Sequence, residues 1–184
     1  MNTVITSSEE RMKKTVASLK DDFAAIRTGR ASASLFDKIR VDYYGEKSPL
    51  AQVANISVPE ARLIVIQPWD RALIGEIEKA IRSSELSLNP SNDGKVIRIA
   101  IPPLTEERRK ELVKQAKAQT EQSRVAIRNI RRDGNDELKK ALKEGTLTED
   151  EESRFSEELQ KLTDNYIKEI NRVLEEKEKE IMEV

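Results

Sequence analysis

The chain has 184 residues, with 33 basic and 34 acidic side chains, no histidine and no cysteine. This composition excludes disulfide scaffolds, zinc sites built from cysteine or histidine, thiol nucleophiles and histidine acid–base catalysis. Hydrophobic residues make up 37% and charged residues 36%, which favours slender, exposed helices over one thick core. The longest aliphatic run, Leu63–Ile66, is too short to cross a bilayer, and the N-terminus lacks the order of a secretory signal, so we expect a cytoplasmic protein without a membrane partner.

A first helix is predicted from an apolar seam with intervals of four and three residues, formed by Met12, Val16, Leu19, Phe23 and Ile26. Such a seam is typical of helix bundles. The helix is expected to end at Thr28-Gly29, where glycine can close it. Its start is open, because either Thr3 or a capping box from Ser7 to Glu10 fits the pattern.

From about residue 31 to Leu104 the period changes to that of short strands plus one helix. The expected elements are strands at Val41–Tyr44, Arg62–Gln67 and Lys95–Ile101, a helix capped by Asp70 that continues through Ile81, an extended segment at Leu86–Leu88, and a turn at Asn89–Gly94. These elements predict a small α/β module.

Two long helices are predicted after this module. Thr105 can cap the first, which has helical spacing through Leu112, Ala116, Ser123, Ile127, Ile130, Leu138 and Leu142 and ends at Gly145. Asp133-Gly134-Asn135 would also suit a turn, but we favour one continuous helix with a weak point there. A capping box from Thr148 to Glu151 opens the last helix, whose seam is Phe155, Leu159, Leu162, Tyr166, Ile170 and Val173.

Narrow apolar stripes on three long helices can be buried only by packing the helices together. The expected fold class is therefore α+β: an antiparallel three-helix bundle of residues 1–29 and 105–184, with a small α/β domain of residues 30–104 inserted. The two connections are candidate hinges, formed by Gly29, Arg30, Ala31, Pro102, Pro103, Leu104 and Thr105. The alternative is that they are ordinary loops that close a rigid interface.

Positive charge is concentrated in residues 105–132, which carry nine basic and four acidic side chains, whereas residues 133–184 carry nine basic and 17 acidic ones. At 100° per residue, one helix face carries Lys110, Lys114, Lys117, Arg124 and Arg128, with Arg132 on the same side and Arg131 at its edge. Guanidinium groups suit phosphate, and only seven aromatic residues are present, so the pattern indicates binding to the backbone of structured RNA. The alternative is a solvated face paired with acids of the last helix, such as Glu157, Glu158 or Glu169.

No enzyme site is indicated. Gly94-Lys95 lacks the preceding glycine of a Walker motif, so nucleotide hydrolysis is not expected. Asp150, Glu151 and Glu152 are explained by the first turn of a helix better than by a metal site. We expect no cofactor and no metal.

Several motifs together resemble the bacterial ribosome recycling factor family along the whole chain. They are Arg27-Thr28-Gly29-Arg30-Ala31, Val41 to Gly45, Leu88-Asn89-Pro90, Pro102 to Lys110, Val125 to Asp133, and Lys161-Leu162-Thr163-Asp164. Gly134 departs from the family's pattern, in which a helix former is more frequent.

The resemblance implies an L-shaped, tRNA-like molecule that binds the post-termination ribosome and, with elongation factor G and GTP, splits it into subunits and releases mRNA and tRNA. It implies a monomer that contacts large-subunit ribosomal RNA and not DNA, with GTP used by the translocase. The implied RNA contacts are Arg128, Arg131 and Arg132, then Arg27, Arg30, Arg109 and Lys110, beside Arg124 and Lys117 of the basic face.

Two rival functions remain open on the residues alone. A helical adaptor that self-associates through its apolar seams would use the arginines only as solvated charge. An RNA chaperone would bind any structured RNA with similar affinity.

Overall fold

The structure, a computed structural model, describes residues 2–183 and has the α+β class expected from the sequence. Its helices are α1 (Thr3–Ala24), α2 (Leu50–Val53), α3 (Ile74–Arg82), α4 (Glu106–Lys143) and α5 (Glu149–Met182). Its strands are β1 (Arg40–Tyr43), β2 (Glu46–Pro49), β3 (Ala54–Glu60), β4 (Leu63–Pro68), β5 (Pro90–Asn92) and β6 (Ile97–Ala100), with 3₁₀ turns at Ala33–Phe36 and Arg71–Leu73. One compact unit joins the residues up to Thr28 with those from Thr105, and Gly29–Leu104 form the second.

The first unit packs α1, α4 and α5 into a three-helix bundle. Arg124 hydrogen-bonds to Asn171, whereas Arg131, about two turns later in α4, bonds to Gln160, which lies earlier in α5. α4 and α5 are therefore antiparallel.

The predicted seams form the core of this bundle. All five residues of the first predicted seam are buried, four within α1 and Ile26 just beyond it. In α4 the buried members are Leu112, Ala116, Ile127, Ile130 and Leu138, whereas Ser123 and Leu142 are half-buried. In α5 Leu159, Ile170 and Val173 are buried, whereas Phe155, Leu162 and Tyr166 are half-buried. Each stripe thus loses its contact with water only because the other two helices cover it.

The start of α1 matches one of the two expected alternatives, whereas its end differs from the expected one. The helix starts at Thr3 because the side chain of Asn2 accepts a hydrogen bond from the amide of Val4, at 2.7 Å, so the capping box at Ser7 is not used. It ends at Ala24, before the expected Thr28-Gly29. The amide of Ile26 bonds to the carbonyl of Phe23, which tightens the last turn and keeps Ile26 in the core.

The two long helices start where the sequence predicts, and α4 ends as expected just before Gly145. The hydroxyl of Thr105 accepts a hydrogen bond from the amide of Arg108, and Thr148 with Glu151 forms the expected capping box. Gly145, just beyond α4, has a φ of +77°, the left-handed conformation that glycine adopts without strain.

The predicted weak point at Gly134 is a site of close helix packing. α4 continues through it, and the residue is buried. A Cβ atom there would lie 2.7 Å from Cδ2 of Leu159 and 3.0 Å from Oγ of Ser8. The absence of a side chain therefore lets α1, α4 and α5 approach each other at this level.

The second unit contains the hairpin of β1 and β2 and an antiparallel sheet of order β3-β4-β6-β5. Alternation along the central strands buries Ile64 and Ile66 of β4 and Ile97 and Ile99 of β6. α3 packs against the same core through Ile74, Ile77 and Ile81. This core belongs to the second unit alone, because all of its residues lie between Gly29 and Leu104.

Two predictions for this unit are wrong. Leu86–Leu88 form a turn and irregular backbone, since Ser87 has a φ of +52° and cannot continue a strand. Within the predicted turn Asn89–Gly94, Pro90–Asn92 form β5, which pairs with β6. The turn between the two strands lies at residues 93–96.

The carboxylate of Asp93 closes that turn. It accepts hydrogen bonds from the amides of Lys95 and Val96 and from Arg98, and these bonds hold its pKa far below the usual range.

An ion-pair network on the bundle surface predicts a pH effect. Hydrogen bonds from Arg172, and then from Lys20, lower the pKa of Glu169 from 4.5 to about 2. Because the folded-state pKa is the lower one, the stabilisation is present above pH 4.5 and is lost as the pH falls towards 2. Glu169→Gln should therefore reduce the free energy of unfolding at pH 7 by less than about 1 kcal/mol. Urea denaturation at pH 7 and pH 2.5 checks this, and an equal difference at both values would contradict it.

Candidate nucleic-acid interface

The basic stripe of the structure consists of Lys110, Lys114, Lys117, Arg124, Arg128 and Arg132, with Arg131 at its edge, all on α4. Since α4 is unbroken over 38 residues, the helical period holds along the whole stripe. A separate face of the helix carries Ala116 and Ile127, which are completely buried. Charge and core are therefore separated as predicted, but the members of the stripe differ in their surroundings.

Arg124 is used inside the bundle. Its Nε and Nη2 atoms donate hydrogen bonds to Oδ1 of Asn171 on α5, at 2.9 and 2.7 Å. Its Nη1 atom donates to Oε2 of Glu121 at 2.9 Å, and only 23% of the side chain is exposed. Arg124 thus joins α4 to α5, and less of its guanidinium remains for an external anion.

Glu121 is an acid within the basic stripe that the sequence analysis missed. It lies one turn before Arg124 and two turns before Arg128, and it pairs with both, through Oε2 and Oε1 respectively. Hydrogen bonding from Arg124 is the main cause of the lowered pKa of Glu121. Its spacing of three and seven residues from the two arginines was the signal that could have revealed it.

At the end of the stripe around Arg128 to Arg132, Arg128 alone pairs with an acid within residues 2–183. Arg128 is 46% exposed and has one long contact with Glu121, at 3.4 Å. Arg131 is half-buried and donates to the amide oxygen of Gln160 at 3.1 Å. Among residues 2–183, no ion pair or hydrogen bond engages the exposed side chain of Arg132.

Of the acids named in the alternative interpretation, Glu157, Glu158 and Glu169 do not pair with the stripe within the described chain, although another acid of the last helix does. Glu169 instead pairs with Lys20 and Arg172. The acids that do meet the stripe are Glu106 at Lys110, Glu121 at Arg124 and Arg128, and Glu178 of α5 at Lys117, the last at 3.7 Å. The pairs of Lys110 and Arg128 are exposed and weak, because water screens both partners, whereas Arg124 and Glu178 are partly buried.

Three other predicted contact residues are not members of the stripe. Arg109 lies on the side of α4 that turns towards the core, and its buried Nε atom has no hydrogen-bond partner. Arg27 follows the end of α1 and is exposed, whereas Arg30 belongs to the second unit.

The predicted hinge residues lie where the chain enters and leaves the second unit. Gly29 has a φ of +77°, and a Cβ atom there would lie 3.2 Å from Cγ of Leu104. The amide of Ala31 donates a hydrogen bond to the carbonyl of Ala61. The amide of Ile101 donates to the carbonyl of Arg62, which follows Ala61 in the chain. The two connections thus run side by side and attach to the same turn between β3 and β4, while Pro102 and Pro103 are exposed.

Two other kinds of site are absent from residues 2–183. No group of three or more acidic residues among them could hold a metal ion, and none of their helices combines the length and apolarity needed to span a membrane.

A three-helix bundle that carries an inserted α/β domain and a basic outer face is the architecture of a translation factor family. The family model described as ribosome recycling factor matches residues 19–182. The ribosome-recycling factor of Treponema denticola is 65% identical over 175 residues, which are 95% of each chain. That of Bacillus cytotoxicus is 59% identical over 181 residues, 98% of each chain. The chain belongs to the ribosome recycling factor family.

Solved structures of the family have the same fold. A solution structure of a ribosome recycling factor has a TM-score of 0.72 and 50% identity, and the match covers 98% of this chain and 96% of that one. A second structure contains the Thermus thermophilus factor, described together with Escherichia coli elongation factor G on the E. coli post-termination complex. It has a TM-score of 0.60 and 46% identity, and the match covers 98% and 97% of the two chains.

Proposed function

We propose that this protein binds the post-termination ribosome and, together with elongation factor G and GTP, separates the subunits so that mRNA and tRNA are released. The observation that carries the proposal is its membership of the ribosome recycling factor family over almost the whole chain. A family structure described on the post-termination complex with elongation factor G supports the choice of partners. The protein would act in the cytoplasm, where ribosomes work.

The basic stripe is the proposed contact with large-subunit ribosomal RNA. Arg128, Arg131 and Arg132 would make the main contacts with phosphate, because this end of the stripe is the least engaged by acids. Lys110, Lys117 and Arg124 would add positive potential, each reduced by its own partner. Arg27, Arg30 and Arg109 are proposed as further contacts. Binding that rests on phosphate is strong at low salt and weakens steeply as salt rises.

The protein is proposed to be a non-catalytic monomer without a cofactor of its own. The free energy for subunit separation would then come from GTP hydrolysis by the translocase. A sedimentation series across protein concentration tests the monomer, and a stable dimer would favour the self-associating adaptor instead.

The connections at Gly29 to Ala31 and Pro102 to Thr105 are the proposed hinge through which force on the inserted domain is transmitted. Each connection is short, so it would permit rotation without letting the domain drift away. Hydrogen bonds from Ala31 and Ile101 to the turn between β3 and β4 would restrict the mobile part to the few residues before and after them.

Light scattering of 70S ribosomes tests the proposed function directly. Loss of scattering should require this chain, elongation factor G and GTP together, and omission of any one should abolish it. Splitting without GTP, or without this chain, would refute the division of labour proposed here. Equal affinity for unrelated structured RNAs would favour an RNA chaperone.

A further inference from the structure

A fixed negative charge sits inside the basic stripe, at Glu121. Both of its carboxylate oxygens are engaged, Oε2 by Arg124 at 2.9 Å and Oε1 by Arg128 at 3.4 Å. The carboxylate nevertheless stays accessible, since 55% of the Glu121 side chain is exposed. An anion that approaches the stripe from solvent therefore meets Glu121 together with the arginines.

The two arginines hold Glu121 with unequal strength. Arg124 is itself anchored to α5 by two hydrogen bonds to Asn171, so the shorter of the two bonds to Glu121 comes from a restrained donor. Arg128 makes only the longer contact and is 46% exposed. When Arg128 turns to an external phosphate, Glu121 consequently remains in place, bound to Arg124. As an exposed carboxylate it is ionised at neutral pH, and the hydrogen bond from Arg124 lowers its pKa further.

We propose that Glu121 limits the affinity of the basic stripe for RNA phosphate, first by occupying Arg128 in the free protein and then by repelling phosphates in the complex. The proposal rests on the proposed function, since it assumes that the stripe contacts ribosomal RNA. It assigns to Glu121 the tuning of that contact, and to Asn171 and Arg124 the positioning of Glu121.

Two effects of Glu121 oppose each other, and their sizes decide the direction. Holding Arg128 in one position would favour binding, but a single exposed contact of 3.4 Å restrains a long side chain very little. The carboxylate charge acts on every phosphate within a Debye length, about 10 Å at 0.1 M salt. Repulsion therefore outweighs preorganisation, and removal of the charge should tighten binding.

A limit on affinity has a use in a factor that must leave after each round. Exposed guanidinium groups without an acid among them would gain affinity with each phosphate contact, and dissociation would slow accordingly. Because Glu121 weakens phosphate binding in the middle of the stripe, the association depends mainly on the two ends of the stripe. The free energy needed for dissociation is therefore lower.

The decisive experiment compares Glu121→Gln with Glu121→Asp in the full-length protein. Glutamine removes the charge at almost constant shape, and aspartate keeps the charge but cannot reach both arginines. We expect Glu121→Gln to bind purified large ribosomal subunits roughly fivefold more tightly at 0.1 M KCl. The gain should shrink towards unity near 1 M KCl, where the Debye length is about 3 Å. Glu121→Asp should stay within about twofold of the unchanged protein.

Glu111→Gln is the matched control, because Glu111 lies on the same helix and pairs with Arg108 at 2.9 Å, but outside the stripe. It should change affinity by less than about twofold. Unchanged or weaker binding by Glu121→Gln would overturn the proposal. Weakening of binding to the same extent by Glu121→Asp would also overturn it, since this would indicate that Glu121 mainly positions Arg128. If substitutions in the stripe itself leave binding unaltered, the RNA contact fails, and not the role of Glu121 alone.

Discussion

Replacement of both Arg128 and Arg132 by glutamine is expected to weaken binding to large ribosomal subunits by about a hundredfold, since each exposed guanidinium would no longer make a charge-assisted hydrogen bond to phosphate. The slope of log affinity against log salt should fall by about two, one for each phosphate. Filter binding over a range of KCl concentrations measures both quantities. Helical content should stay unchanged, because the ion pair between Arg128 and Glu121 is long and exposed and adds little to the stability of α4.

The control removes the same charge elsewhere on the bundle. Lys161 and Lys168 are exposed on α5, outside the stripe, and the double variant Lys161→Gln/Lys168→Gln should keep almost full affinity. If both double variants weaken binding equally, the effect comes from net charge and the stripe is not the contact surface. Arg124→Gln provides a second comparison. Its effect on the free energy of unfolding of the bundle should exceed its effect on the free energy of RNA binding, because Arg124 is bonded to Asn171.

Gly134→Leu should destabilise the protein by about 3 kcal/mol or more, the largest effect on stability that we expect from a single substitution. Even the Cβ atom would lie 2.7 Å from Cδ2 of Leu159, a side chain that is completely buried. The gain of about 1 kcal/mol in helix propensity is too small to offset this overpacking. The urea midpoint measures the change.

Ala118→Leu controls for the added volume, because Ala118 is exposed on the same helix and a larger side chain there meets solvent. Its urea midpoint should stay near that of the unchanged protein. A stable Gly134→Leu variant would mean that the three helices can separate at this level without cost, contrary to the close packing described above.

Local sequence signals predicted α4 and α5 correctly. These signals are the caps at Thr105 and Thr148 and the apolar seams. Each depends only on residues within a few helical turns, so distant parts of the chain do not change it. The same reasoning placed Gly134 in a helix but interpreted it as a weakness. Its role depends on Leu159 and Ser8, which are distant in sequence, and periodicity in one helix cannot reveal such contacts.

The errors arise where long-range pairing decides the structure. β5 forms at Pro90–Asn92, against strong turn residues, because β6 supplies its hydrogen-bond partners. β3 lies at the edge of its sheet and has little alternation in burial. Its sequence therefore has no alternating apolar pattern from which a strand could be predicted. In the basic stripe, charge counting found the cations, but only the register of α5 against α4 reveals that Asn171 engages Arg124.

The side-by-side connections at Gly29 and Leu104 also bear on how the chain assembles. Once the inserted domain has folded, it holds Gly29 and Leu104 next to each other, so the chain ends that lead into α1 and α4 are close together. When α1 pairs with α4, residues 29–104 therefore have the effective length of a loop of only a few residues. By the logarithmic dependence of closure entropy on loop length, this shortcut is worth on the order of 2–3 kcal/mol. The small domain thereby promotes the pairing of two helices that are far apart in the chain.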